Sequence, residues 1–233
     1  MDRKLKILVV EDEVAIRTGL VDVFVFHGYQ VDYADNGPDG LSKALSGQFD
    51  LILLDVMLPG MDGFEICRRI RDEDKDQPII MLTAKTSDEE IIQGLSLGAD
   101  DYVAKPFSVG QLVLRVQAVL RRSRAGEAQN REMQIGHDIQ IDTLNLTGQW
   151  GETELVFTRR EIEVLQYLKL HNTRPVPREE LLNKVWGYDK KMDIETRTVD
   201  IHIAKLRRKI EVNAKEPTLL ITVRGEGYRL LDC

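Results

Sequence analysis

Two periodicities alternate along the first half of the chain. Short, nearly unbroken apolar runs at 5–10, 31–34, 51–54, 79–82 and 102–103 read as buried strands. Amphipathic stretches at 14–27, 38–46, 63–72, 89–97 and 109–122 carry apolar residues at helical spacing between and after them. Gly28, Gly47, Gly98 and Pro78 punctuate the returns to strands. Strict βα alternation predicts a parallel sheet with helices on both faces. Five such units predict the doubly wound order 2-1-3-4-5, with a site at the carboxyl ends of strands 1 and 3.

After residue 122 the pattern changes. Residues 123–132 hold no large side chain except charged or amide ones and read as a linker. Strand-like pieces follow at 134–141, 144–147 and 154–157, then helical patterns at 159–171, 178–186 and 196–212. Thr158-x-x-Glu161 forms a capping-box signature at the start of the first of these helices. Two strand candidates, 219–223 and 228–231, close the chain around Arg224-Gly225-Glu226-Gly227. The expected organisation is an α/β domain at 1–122, a linker at 123–132 and an α+β domain at 133–233.

Composition narrows the compartment. No apolar run reaches the roughly 18–20 residues of a membrane helix, and the N-terminus lacks a signal-peptide apolar region. Two cysteines, Cys67 and Cys233, exclude a disulfide framework or a cysteine-based zinc site. A cytoplasmic protein with no membrane partner is expected. The net charge of −7 lies wholly in residues 1–122, with 14 basic against 21 acidic residues. The second half is neutral, but its bases bunch: 197–209 holds five bases and one acid, Asp200.

The chemistry of the first half follows from where its acids fall. Glu11, Asp12 and Glu13 follow strand 1 and Asp55 follows strand 3, so the doubly wound order makes Asp12 and Asp55 converge. Packed carboxylates repel unless a cation neutralises them, and an all-oxygen donor set with room for water and phosphate suits Mg²⁺. Thr83 ends strand 4 and Lys105 follows strand 5, placing a hydroxyl and an ammonium on the same edge. Such a set stabilises a phosphoryl group, with Asp55 as the nucleophile that forms an acyl phosphate.

Four motifs carry a resemblance. Ile7-Leu8-Val9-Val10-Glu11-Asp12-Glu13, the run from Leu54-Asp55-Val56-Met57 through Pro59-Gly60-Met61-Asp62-Gly63, Leu82-Thr83-Ala84 and Asp100-Asp101-Tyr102-Val103-Ala104-Lys105-Pro106-Phe107 resemble a bacterial response-regulator receiver domain with a CheY-like fold. The resemblance implies that Asp55 accepts phosphate from a partner sensor histidine kinase. It implies Mg²⁺ ligands at Glu11, Asp12, Asp55 and the Met57 carbonyl, with Lys105 and Thr83 on the phosphate. Tyr102 then changes rotamer as Thr83 moves.

In the second half the 196–212 pattern has an apolar stripe at Val199, Ile203, Leu206 and Ile210. Arg197, His202, Lys205, Arg208 and Lys209 are expected on its outward faces, as suits a DNA major groove. Leu155-x-Phe157-Thr158-x-x-Glu161, Val185-Trp186-Gly187, Arg197-Thr198-Val199-Asp200-Ile201-His202-Ile203 and Thr222-Val223-Arg224-Gly225-x-Gly227-Tyr228 resemble the winged-helix domain of the OmpR/PhoB class. By that resemblance Arg197, His202, Lys205 and Arg207 contact the groove of double-stranded DNA. Thr222, Arg224 and Tyr228 fall on the wing and Trp186 on a backbone contact. Binding to tandem half-sites as a phosphorylation-promoted homodimer, and contact with RNA polymerase, are likewise implied.

The chain departs from that class at several positions. Ala204 replaces a base that some members carry. The class pairs its receivers through charged residues; Asp100, Asp101, Arg115 and Arg122 keep those charges, whereas Ile91 and Gln111 replace a usual base and its acidic partner. A more apolar, less salt-sensitive dimer face is expected. Two rival readings stay open at this level. One is a phosphatase working through an aspartyl phosphate, although Met57 stands where such enzymes place a second Asp. The other is a DNA-binding module indifferent to phosphate. The expected protein is not an enzyme, beyond slow loss of its own phosphate.

Overall fold

In the computed structural model, which describes residues 3–83, 97–123, 131–188 and 197–231, the first half forms five short strands. They are β1 (Lys6–Val10), β2 (Gln30–Ala34), β3 (Leu51–Asp55), β4 (Ile79–Thr83) and β5 (Asp101–Ala104). All pair in parallel, in the order β2-β1-β3-β4-β5. Every residue of β3 and β4 is buried, as expected of central parallel strands covered on both faces. Helices α1 (Val14–Phe26), α2 (Gly37–Ala44), α3 (Gly63–Glu73) and α4 (Val109–Ser123) supply the cover. Leu20 and Phe24 of α1 and Leu112, Val113, Val116 and Val119 of α4 pack with Ile7, Val9, Leu51, Leu53, Ile80 and Leu82. The helical pattern at 89–97 lies outside the described residues except for Leu97.

Register places the strand ends level. Val10 pairs with Leu54, Asp55 with Leu82 and Thr83 with Ala104. Glu11, Asp55, Thr83 and Lys105 therefore emerge together at the carboxyl edge. Gly63, the first residue of α3, is required there: a Cβ on it would come within 2.1 Å of the Asp55 carbonyl oxygen.

The chain divides into two compact units, Met1–Ala125 and Gly126–Cys233. The second opens with an antiparallel sheet of β6 (Glu132–Ile135), β7 (Ile139–Asp142), β8 (Thr147–Trp150) and β9 (Thr153–Val156). The single strand expected at 134–141 is a hairpin. Gly136 turns the chain at φ 57°, and Ile135 pairs with Ile139 across the turn. Met133, Ile135, Ile139 and Ile141 are all buried, so the even spacing hides the turn from a period-2 reading. The strand expected at 144–147 is mostly turn, with Leu146 at φ 56° and β8 beginning at Thr147.

Helix α5 (Arg159–Leu170) starts at the capping box, whose two reciprocal bonds both form. Then come α6 (Arg178–Leu181), continued by a wider π-type turn over Leu182–Trp186, α7 (Arg197–Ile210), and the hairpin of β10 (Leu220–Val223) with β11 (Gly227–Leu230). Among the described residues no helix is long and apolar enough to cross a membrane.

Candidate functional sites

At the carboxyl edge of the five-stranded sheet, carboxylate oxygens of Glu11, Asp12 and Asp55 lie within 4.8 Å of one another. Glu11 and Asp55 are buried and Asp12 is exposed. Lys105 reaches between them, its Nζ 2.7 and 3.0 Å from the two Glu11 oxygens and 2.9 Å from Asp55 Oδ2. Burial and the neighbouring Asp55 charge hold the Glu11 carboxyl above its usual range, against the pull of Lys105. Lys105 is partly buried, which alone would lower its value, yet the two carboxylates raise it. One ammonium for three clustered acids leaves the site short of positive charge. Its donors are all hard oxygens, a set that fits a small divalent cation such as Mg²⁺.

The remaining expected residues surround this centre. The Met57 amide donates to Asp55 Oδ1 at 3.3 Å. Thr83 is buried at the end of β4, and its carbonyl accepts from the Lys105 amide at 2.6 Å. Tyr102 is buried in β5, opposite Met81. Arg17 joins the site without any expectation from sequence. Its guanidinium donates to the Glu11 and Asp12 carbonyls at 2.8 and 2.9 Å and lies over the Tyr33 ring. A lone cation on α1, five residues after Asp12, was the available signal.

In the second unit α7 is buried over a broad arc. Val199, Ile203, Leu206 and Ile210 point inward, and so do Thr198, Ile201, His202 and Lys205. Ala204 and Arg208 are exposed, with Asp200 and Arg207 partly so. Under the helix lies the buried carboxylate of Glu161. It pairs with Lys205 at 3.1 Å and Lys209 at 2.7 Å and accepts from the Thr158 amide at 2.8 Å. On the hairpin, Thr222 and Arg224 are exposed and Tyr228 is buried.

Two family models match the chain: the response regulator receiver domain over residues 7–117 and the C-terminal domain of transcriptional regulatory proteins over 152–230. The alkaline phosphatase synthesis transcriptional regulatory protein PhoP of Bacillus subtilis is 45% identical over 97% of this chain and 96% of its own. The response regulator ArlR of Staphylococcus haemolyticus is 43% identical over 95% of this chain and 97% of its own. Among solved structures, DrrB, a Thermotoga maritima OmpR/PhoB homologue, is 31% identical and covers 98% of this chain and 99% of its own, with a TM-score of 0.52. A point mutant of RitR superposes with a TM-score of 0.73 at 29% identity, over 98% of this chain and 100% of its own. This chain belongs to the OmpR/PhoB class of response regulators.

Within this response regulator, four residues expected at DNA are turned inward. His202 and Trp186 are both 0% exposed and meet edge-on, ring centroids 5.1 Å apart. Lys205 is held on Glu161, and Tyr228 is buried with its hydroxyl on Asp200 at 2.6 Å. The stripe of apolar residues gives the direction of the core but not its breadth, and the buried arc extends past the stripe to Ile201 and Lys205. Arg207 is occupied too, donating to the Leu220 carbonyl at 2.7 Å and the Thr222 hydroxyl at 2.8 Å. Arg208 is an exposed cation that the motif comparison passed over. The Arg197 side chain lies outside the described residues.

Three of the four charged positions expected to pair receivers, Asp100, Asp101 and Arg115, are engaged within the regulator's own chain. Arg115 and Asp101 form a buried pair at 2.6 Å. Asp100 accepts from the Ile79 amide at 2.9 Å and from Arg71 at 3.2 Å. Gln111 is partly exposed, while Ile91 and the Arg122 side chain lie outside the described residues. Exposed on α4 are Val109, Gly110, Leu114, Gln117 and Arg121.

His202 gives a pH prediction. Neither ring nitrogen has a hydrogen-bond partner among the described residues. Burial, followed by the Lys205 charge, lowers its value from 6.5 to about 3. The unfolded chain therefore binds a proton that the folded one refuses between those values. Stability is intact above pH 6.5 and falls as pH drops below it. Between pH 7 and pH 5 the loss from this group is about 2 kcal/mol. Urea titrations of wild type and His202→Phe at both pH values test this: the variant loses that increment, and an equal acid loss in both refutes the assignment.

Proposed function

We propose that this regulator is switched by phosphorylation of Asp55. The observation that carries the reading is the Lys105 ammonium shared by Asp55 and Glu11 beside a third carboxylate, with Thr83 level with them across the sheet. An Asp55 carboxylate oxygen attacks the phosphorus of a phosphohistidine on a partner sensor kinase; the P–N bond breaks and the imidazole leaves. Glu11, Asp12, Asp55 and the Met57 carbonyl would hold Mg²⁺. A divalent ion held there would screen the carboxylates from the incoming phosphoryl oxygens. Lys105 then donates to a phosphoryl oxygen in place of Asp55, and the Thr83 hydroxyl donates to another. Movement of Thr83 toward the phosphate vacates space beside it for Tyr102 to change rotamer.

The DNA-facing set supported by exposure is Arg208, Thr222 and Arg224, with the partly exposed Arg207 beside them and Arg197 retained from the sequence comparison. The groove helix α7 and the hairpin wing read tandem half-sites about one helical turn apart. Phosphorylation promotes a homodimer through β5, α4 and the segment holding Ile91. With Asp100, Asp101 and Arg115 already paired in-chain, that contact is more apolar than charged. Exposed ion pairs contribute only about 0–1 kcal/mol each, so their absence is compatible with pairing. The protein works in the cytoplasm, recruits RNA polymerase, and loses its phosphate slowly rather than turning over substrate.

One experiment addresses switch and dimer together. The full chain is treated with acetyl phosphate and Mg²⁺, sedimented at low and high salt, and titrated with DNA selected from a random pool. A dimer that persists in high salt and binds DNA more tightly is expected. A strictly monomeric phosphoprotein removes the dimer, steep loss of dimer with salt removes the apolar contact, and phosphate-independent DNA affinity removes the switch.

A further inference from the structure

Asp200 is out of place on the face of α7 that is turned outward. Its side chain is 44% exposed, on the same arc as Ala204 and Arg208, where a negative charge repels phosphates and weakens DNA binding. The structure gives it another task. Asp200 Oδ1 accepts from the Tyr228 hydroxyl and from Arg178 Nε, both at 2.6 Å. Arg178 also donates to the Tyr228 oxygen at 2.9 Å and lies over its ring, 4.6 Å from the centroid. Burial and the hydrogen bond to Asp200 push the Tyr228 phenol up to about 12. One carboxylate thus joins three elements: α6 through Arg178, α7 through itself and β11 through Tyr228.

We propose that Asp200 is a positioning residue that locks the wing against the groove helix, so that both engage DNA in one fixed geometry. The proposal rests on the reading of α7 and the hairpin as the DNA-contacting elements.

The hairpin has reason to need such a lock. Its strands are four residues each, and an isolated two-stranded ribbon of that length is marginal. Among the described residues, backbone-to-backbone support from outside the hairpin comes where Tyr228 and Val176 exchange hydrogen bonds at 2.7 and 3.0 Å. The approach is close enough that a Cβ on Gly227, at φ +126°, would come within 2.0 Å of the Val176 oxygen. That bridge fixes where β11 attaches but touches no residue of α7. The ties to α7 and its end are side chains: Asp200 to β11, Arg207, seven residues on and about two helical turns away, to β10 at Leu220 and Thr222, and Glu211, just past the helix, to the Leu219 and Leu220 amides at 2.9 and 2.6 Å. Of these hydrogen bonds, that of Asp200 alone reaches β11. Recognition by two arms requires their relative placement to be held before binding.

The test sets geometry against charge. Asp200→Asn keeps shape and removes a negative charge next to DNA, so charge alone predicts tighter binding to every sequence. Positional control predicts the reverse for the specific site. Phosphorylated wild type, Asp200→Asn, Tyr228→Phe and Arg224→Ala are compared by anisotropy on selected and random DNA, and by hydroxyl-radical footprinting. Asp200→Asn and Tyr228→Phe should lose on the order of tenfold on the selected site, with random DNA unchanged or tighter for Asp200→Asn. Protection where the wing lies should fade while that from the groove helix stays.

Undiminished affinity with an unaltered footprint in both variants overturns the proposal. If Arg224→Ala also leaves affinity and footprint untouched, the reading of the hairpin as a DNA contact fails instead. Equal losses on both DNAs, with the whole footprint fading, mean a merely structural role and also overturn the proposal.

Discussion

Asp55→Asn takes up no phosphoryl group from acetyl phosphate and Mg²⁺, whereas wild type gains one per chain. The substitution removes the nucleophile and little else. Asparagine has nearly the same shape, and its amide oxygen still accepts from the Met57 amide and from Lys105, which keeps its two contacts to Glu11. A neutral amide is a far poorer nucleophile than a carboxylate, so the loss is complete on the time scale of labelling. Intact-mass measurement reads the result directly. Equal labelling of the variant would move the acceptor elsewhere, to Asp12 or Glu11. The same measurement over time separates a switch from a phosphatase: a switch accumulates a phosphoprotein, while an enzyme consumes the donor many times over.

Legibility in the sequence differed between the two units for physical reasons. The acidic site was readable because topology fixes it. In an alternating βα chain the residue after each strand must appear at one edge, so Glu11, Asp55, Thr83 and Lys105 could be brought together without side-chain geometry. The face of α7 was not readable in the same way. Four apolar residues locate the core side of a helix, but the width of the buried arc depends on neighbours far away in sequence. Here Glu161 and Trp186 cover His202 and Lys205, which a helical projection alone leaves outside. Glu161 itself was legible only as half of a capping box. Its partners Lys205 and Lys209 lie 44 and 48 residues on, beyond any local pattern. The hairpin at 132–142 was concealed by parity, since a turn that preserves the even spacing of buried residues looks like continuous strand.

Glu161→Ala is expected to destabilise the second unit by about 3–5 kcal/mol, the usual result of deleting one partner from a buried ion pair. The carboxylate is fully buried and does three jobs at once. It accepts from the Thr158 amide at the start of α5, and it compensates two ammonium groups of α7. Alanine strands Lys205 beneath the helix and leaves Lys209, whose value burial lowers, on the Val156 carbonyl at 2.7 Å and over the Phe157 ring. Both tryptophans, Trp150 and Trp186, belong to the second unit, so urea unfolding followed by tryptophan fluorescence reports on that unit. Glu161→Gln keeps an acceptor for Thr158 and should lose less. Adding Lys205→Met to it should recover stability, because the charge that lost its partner is then gone. The pH range distinguishes this group from His202. Burial alone would raise the Glu161 value, but Lys205 and Lys209 outweigh it and hold it below 4.5. Its contribution is therefore intact from neutral pH down to 4.5 and lost only as pH falls through the lower folded value. A loss under about 1 kcal/mol on Glu161→Ala, the size of an exposed pair, would show that the lysines find water instead and that Glu161 does not hold α7 in place.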